Sequence, residues 1–210
     1  MTTTALQGAL TSVPALLARN AQQMAQVSAY REKEFGIWQS WTWAQVADEV
    51  RAMALGFLVL GMKRGDYVAI IGRNRPALYW SMVAAQSVGA IPVPLYQDAV
   101  ADEMTYVLEH CGARFAICGD QEQVDKVLEV QETVKGIEQI LYFDKRGMRK
   151  YDHSAMNWLA DVQKEGLAAA TRLGPELQAR TNALTYDHTC VMLYTSVSYT
   201  HLTLPTSDLV

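Results

Sequence analysis

With 210 residues, of which 50% are hydrophobic and 19% charged, the chain can bury the core of one ordinary globular domain and is too apolar to remain disordered. A formal net charge of −4, with no run of Lys or Arg, excludes the electrostatic footprint of a nucleic-acid binder. Three cysteines without C-x-x-C spacing, Cys111, Cys118 and Cys190, support neither a disulfide framework nor a zinc site and point to a reducing, cytoplasmic setting.

The amino terminus has no basic segment ahead of an apolar one, and the longest apolar stretch, residues 52–62 between Arg51 and Lys63, is too short to cross a bilayer. No secretion and no membrane span are expected. Leu10, Val13, Leu16, Leu17 and Met24 recur at helical spacing, after which Phe35-Gly36-Ile37-Trp38-Gln39-Ser40-Trp41 takes the period of a short hairpin or strand. Thr42 with Gln45 forms a capping-box pattern, and Val46, Val50, Met53, Ala54 and Phe57 make one apolar stripe that ends at Gly61. The cluster Trp38, Trp41 and Trp43 therefore reads as packing against that helix rather than as a ring-stacking platform.

Beyond Lys63-Arg64-Gly65-Asp66 the chain alternates strand and helix. Tyr67-Val68-Ala69-Ile70-Ile71 is continuously apolar, as a strand covered on both faces must be. A helix follows from Pro76, capped by Asn74 or Arg75 and stopped by Gly89. The cycle repeats with Ala90-Ile91-Pro92-Val93-Pro94, a helix over 101–110 ended by Gly112, the strand Phe115-Ala116-Ile117-Cys118, a helix over 122–130 and a strand over 139–143. Four strands with three crossover helices predict an α/β fold, a parallel sheet flanked by helices. Pro92 and Pro94 donate no ladder hydrogen bonds, so their strand is short or lies at an edge. Residues 155–165 fit a helix, and the remainder of 144–186 reads as polar connection. Val191-Met192-Leu193-Tyr194-Thr195-Ser196 then reads as a buried strand entering a phosphate-binding loop.

Chemistry-bearing residues are sparse. The turn Gly72-Arg73-Asn74-Arg75-Pro76 has one glycine where a dinucleotide pyrophosphate needs three, so no nicotinamide or flavin role is expected. Arg73 and Arg75 could meet an anion at a helix amino terminus, although surface ion pairing is the commoner use of such residues. His110 beside Cys111 forms no nucleophile pair, because adjacent helical residues do not face each other, and a histidine in a last helical turn suits the dipole. His153 and His188 lack companions at metal-ligand spacing.

In order and spacing, Trp41-Thr42-Trp43, then Gly65-Asp66-Tyr67 through Asn74-Arg75-Pro76, then Gly89-Ala90-Ile91-Pro92-Val93-Pro94-Leu95-Tyr96, and finally Tyr194-Thr195-Ser196 resemble the AMP-forming acyl-CoA synthetases, most closely their long-chain fatty acid branch. The resemblance implies that residues 1–196 are the incomplete amino-terminal portion of the AMP-binding large domain. It implies ATP with Mg²⁺, CoA as co-substrate and a fatty acid as the small-molecule substrate. It also implies that Thr195 and Ser196 open the loop written YTSGTTGxPKG, whose hydroxyls and amides hold the ATP phosphates. The match ends after Ser196: the last glycine is Gly174, and a loop that wraps phosphate in backbone N–H groups needs several. Residues 197–210 resemble translated adapter sequence at the end of truncated reading frames and are expected to be a non-native tail, so the chain as written is expected to be inactive. A naturally divergent terminus, an adenylate-forming enzyme for an aryl or amino acid, and a non-catalytic α/β binding module are the alternatives. Peripheral membrane contact and the oligomeric state are left open.

Overall fold

Thr42 behaves as its context predicts. In the computed structural model, which describes residues 12–194, the Thr42 hydroxyl accepts from Gln45 N–H and the Gln45 side chain accepts from Thr42 N–H, a complete capping box worth about 1 kcal/mol. The helix that it opens, α2 (Trp43–Val59), is preceded by α1 (Val13–Gln23) and by the hairpin β1 (Ser28–Glu34) and β2 (Ile37–Thr42). Leu10 lies outside the described residues; Ser12 caps α1 instead, accepting from Ala15 N–H at 3.3 Å.

The strand–helix alternation follows as β3 (Tyr67–Ile71), α3 (Pro76–Ser87), β4 (Ile91–Leu95), α4 (Ala101–Cys111), β5 (Phe115–Cys118), α5 (Gln121–Thr133) and β6 (Gln139–Tyr142). Then come β7 (Met156–Trp158), α6 (Leu159–Ala168) and α7 (Ala170–Asn182). The five strands β4-β3-β5-β6-β7 form one sheet in which each neighbouring pair is parallel. Successive side chains alternate between its faces. Val68, Ile70, Phe115 and Ile117 pack under α2, α3, α6 and α7, while Ala69, Ile71, Ala116 and Cys118 pack under α4 and α5. Both faces are thus covered, which is why these strands tolerate no polar alternation. The prolines sit in β4, the outermost strand, where they need to donate nothing to a neighbour beyond it.

Three expectations are corrected and one pair of alternatives is settled. The sheet has a further strand, β7, where the sequence suggests the start of a helix over 155–165; three residues carry too little period to be told from a helical turn. The supposed polar connection contains α7, which Gly174-Pro175 disguises as a break, although burial of Leu173 and Leu177 holds the helix together around Pro175. Arg75, not Asn74, is the cap residue of α3 and makes no side-chain capping bond. Residues 190–194 are not a buried strand: they run in irregular conformation beside β4, with Leu193 68% exposed.

α7 closes the first layer by capping its neighbours. Arg180 donates to the carbonyls of Met62 at 3.0 Å and Val88 at 3.3 Å, and Thr181 donates to Ser87 O at 3.0 Å. These bonds satisfy carbonyls at or just beyond the carboxyl ends of α2 and α3 that have no helical partner.

Candidate functional site

The chain leaves β3 and β5 in opposite directions. α3 carries it from β3 to β4 on one face, and α5 carries it from β5 to β6 on the other. Where connections diverge at the carboxyl ends of parallel strands, the backbone opens a crevice, the usual ligand position in open α/β sheets. Here the opening is kept clear by two glycines. A Cβ on Gly72 would lie 3.1 Å from the Gly119 Cα, and one on Gly119 would lie 3.2 Å from the Gly72 Cα. The crevice above has a volume of about 530 Å³ and is lined by Arg73, Arg75, Asp120, Asp144 and Arg146, with Glu32 and Glu34 supplied by the hairpin.

Most of its charge is internally balanced. Arg75 pairs with Glu32 at 3.3 Å and Glu34 at 3.4 Å, so the ion-pair reading of this arginine holds. Arg146 donates to Asp144 at 2.7 Å, and Asp120 caps α5 by accepting from Gln123 N–H. Arg73 is exposed and has no ion pair among the described residues. The Arg146 side-chain hydrogen bond, more than any other influence, holds the Asp144 carboxyl below its ordinary value. A lowered folded-state pKa means that this group favours the fold at neutral pH and loses that contribution as pH falls through the depressed value. A carbon-detected NMR titration is expected to place Asp144 below an ordinary aspartate, and Arg146→Ala to move it back up; an unshifted midpoint in the unmodified chain would remove the pair.

Thr195 and Ser196 lie outside the described residues. The segment that leads to them is held at three points. Gln86 Nε2 donates to Cys190 O at 2.7 Å, Met192 N–H donates to Pro92 O on β4 at 3.0 Å, and Tyr194 Oη lies 2.6 Å from His110 Nδ1. His110 in turn stacks on Tyr106. Cys111 points away into the core, where burial pushes its thiol up, so His110 and Cys111 do not act together. His153 contacts Met148 O, and His188 accepts from Thr185 N–H; both are loop fastenings. Of the tryptophans, Trp41 packs edge-on against Trp80 in the core, while Trp38 is exposed. Sequence reasoning missed Asp120, Asp144 and Arg146, whose only signal is their position just beyond a strand.

Comparison with known proteins agrees with this architecture. Residues 17–198 match the family profile described as AMP-binding enzyme. Over 89 residues the chain is 39% identical to an uncharacterized protein of Mycobacterium tuberculosis, covering 42% of this chain and 50% of that one. Over 163 residues it is 29% identical to the long-chain-fatty-acid–CoA ligase FadD15 of Mycobacterium bovis, covering 77% of this chain and 25% of the ligase. The crystal structure of coronafacic acid ligase from Pectobacterium brasiliense superposes with a TM-score of 0.64 at 17% identity, over 73% of this chain and 29% of that one, which establishes the shared fold. The chain thus spans half of the first relative and a quarter of the ligase. It belongs to the AMP-binding enzyme family.

Proposed function

We propose that the chain is the amino-terminal part, residues 1–196, of a fatty acyl–CoA ligase of the long-chain branch. The observation that carries this reading is the family match over residues 17–198 combined with the similarity to long-chain ligases over most of the chain. In the reaction, a carboxylate oxygen attacks the α-phosphorus of ATP, the bond to the β-phosphate oxygen breaks, and pyrophosphate leaves. The CoA sulfur then attacks the acyl carbon of the acyl-adenylate, the bond to AMP breaks, and the thiol proton passes to solvent. Such chemistry depends on positioning and on charge neutralisation. The hydroxyls of Thr195 and Ser196 would donate to the ATP phosphates, and the three fastenings of residues 190–194 would present them. The resemblance implies Mg²⁺ with ATP; among the described residues no group of three His, Cys, Asp or Glu is placed to hold a metal, and no step is assigned to the ion.

The setting is cytoplasmic in this reading: Cys111, Cys118 and Cys190 are free thiols, and among the described residues no helix is long and apolar enough to cross a membrane. Residues 197–210 are read as a tail foreign to the enzyme because the segment holds no glycine where a phosphate-wrapping loop needs several. Two assays test the proposal. The 210-residue chain should give only background pyrophosphate exchange into ATP with any fatty, aryl or amino acid. An uninterrupted reading frame recovered across codon 196 should convert palmitate, ATP and CoA to palmitoyl-CoA, AMP and pyrophosphate. Faster turnover of benzoate would reassign the enzyme to aryl acids, and acid-dependent exchange by the 210-residue chain would refute the foreign tail.

A further inference from the structure

Among the described residues, the most unusual backbone conformation lies at the tip of the β1–β2 hairpin. Phe35 and Gly36 form its two-residue loop, with φ of +47° and +81°, and Phe35 is the only non-glycine residue with positive φ among the described residues. Positive φ at both loop positions is the signature of the type I′ turn, which favours Asn-Gly and strongly disfavours a bulky aromatic at its first position. That phenylalanine is also 88% exposed, so core packing does not explain it. Phe35 touches the rim of the crevice but packs into no part of the core, and a residue that strains the backbone without core packing points to an interaction outside the fold.

Its surroundings indicate the kind of partner. Ile37 is 65% and Trp38 57% exposed, so apolar side chains crown the projecting end of the hairpin. Lys33 lies directly across from Trp38, and the Arg31 guanidinium sits 4.7 Å over the Trp38 ring, which puts both cations on the indole's face of the ribbon. The two carboxylates of the same strand are turned the other way, Glu32 and Glu34 both engaging Arg75. One face therefore carries charge of a single sign beside the Trp38 indole. The protein's net charge of −4 does not cancel this, because attraction at a surface is decided within a Debye length.

We propose that this hairpin is an interfacial anchor for an anionic lipid surface, Phe35 at its tip entering the acyl boundary, Trp38 lying at headgroup depth, and Arg31 and Lys33 meeting lipid phosphates, while Ile37 stands across from Glu34 on the other face. The strand backbone next to the tip is already hydrogen-bonded across the ribbon, so shallow entry strips little water from unpaired peptide groups. A convex tip suits a deformable surface better than a pocketed partner. A second copy docked through this face would bring Arg31 and Lys33 against their own equivalents. Two cations and two aromatic side chains make a weak, reversible anchor.

The inference is measured without catalysis, so its failure and the failure of the ligase reading are distinguishable. The 210-residue chain is sedimented with vesicles of phosphatidylcholine, alone or mixed with phosphatidylglycerol. It is expected to bind the mixed vesicles only, less so at high salt, with a blue shift of tryptophan emission. Phe35→Asn should lower the partition coefficient about tenfold, the scale of withdrawing one aromatic side chain from an apolar phase. Because Asn-Gly suits the turn, the same variant should melt at or above the temperature of the unmodified chain, which separates lost contact from lost folding. Arg31→Glu with Lys33→Glu should abolish the preference for anionic vesicles. Equal binding to neutral vesicles, binding indifferent to Phe35→Asn, no vesicle binding, or Phe35-dependent self-association or retention on polyglutamate in place of vesicle binding would each overturn the proposal.

Discussion

Gly166→Val is expected to destabilise the chain by about 3 kcal/mol, the upper end of the usual penalty for overpacking, and to lower its melting temperature by roughly 10 °C. The reason is a contact between helix backbones. A Cβ on Gly166 of α6 would lie 2.3 Å from Gly56 N and 2.8 Å from Ala52 O, both in α2, and a Cβ on Gly56 would lie 2.5 Å from Val162 O. Backbone atoms cannot rotate aside, so the helices must separate. Separation would uncover Val162, Phe57 and Leu55, all buried in that layer. Helical propensity alone predicts the reverse, since glycine in a helix interior is about 1 kcal/mol worse than alanine. Gly174, in α7, supplies the control: its Cβ would meet only Arg51 Nη2, at 3.7 Å, so Gly174→Ala should be neutral or stabilising. Circular dichroism melts of the variants decide the matter. A Gly166→Val chain that melts as high as the original would show that α2 and α6 do not touch as described.

Thr195→Ala, made in the uninterrupted enzyme, is expected to slow acyl-adenylate formation by about 10²-fold, the scale of removing one preorganised donor from a developing negative charge. Conversion of supplied acyl-adenylate and CoA to thioester should be nearly unchanged, because the phosphates that this hydroxyl would hold have then left. The comparison of the two half-reactions matters more than the total rate. Equal slowing of both would mean that the residue supports the fold, and no slowing of either would take Thr195 out of the site.

Residues near one another in sequence made much of the molecule legible. Thr42 and Gln45 are three positions apart, so the start of α2 is a local event, and Gly61, Gly89 and Gly112 end helices or turns through positive φ that needs no distant partner. Apolar runs such as Val68 to Ile71 announce coverage on both faces, and Pro92 with Pro94 announces an edge, because a missing donor is a property of the residue itself. Other features depend on partners that no window contains. Val191-Met192-Leu193 looks like an interior strand, yet strand formation requires a neighbouring ladder, and here a single backbone bond to Pro92 is all that β4 supplies. Gly174-Pro175 reads as a break, and only the buried contacts of Leu173 and Leu177 with the α2 and α3 layer make α7 continuous. The crevice is further still from local reading. Arg75 meets Glu34 across 41 positions, and Gly72 faces Gly119 because right-handed crossovers send α3 and α5 to opposite faces of the sheet. Propensity and period act along the chain and determined the elements, whereas the crevice, the helix contact at Gly56 and Gly166 and the strained tip at Phe35 were decided by which elements came to lie side by side.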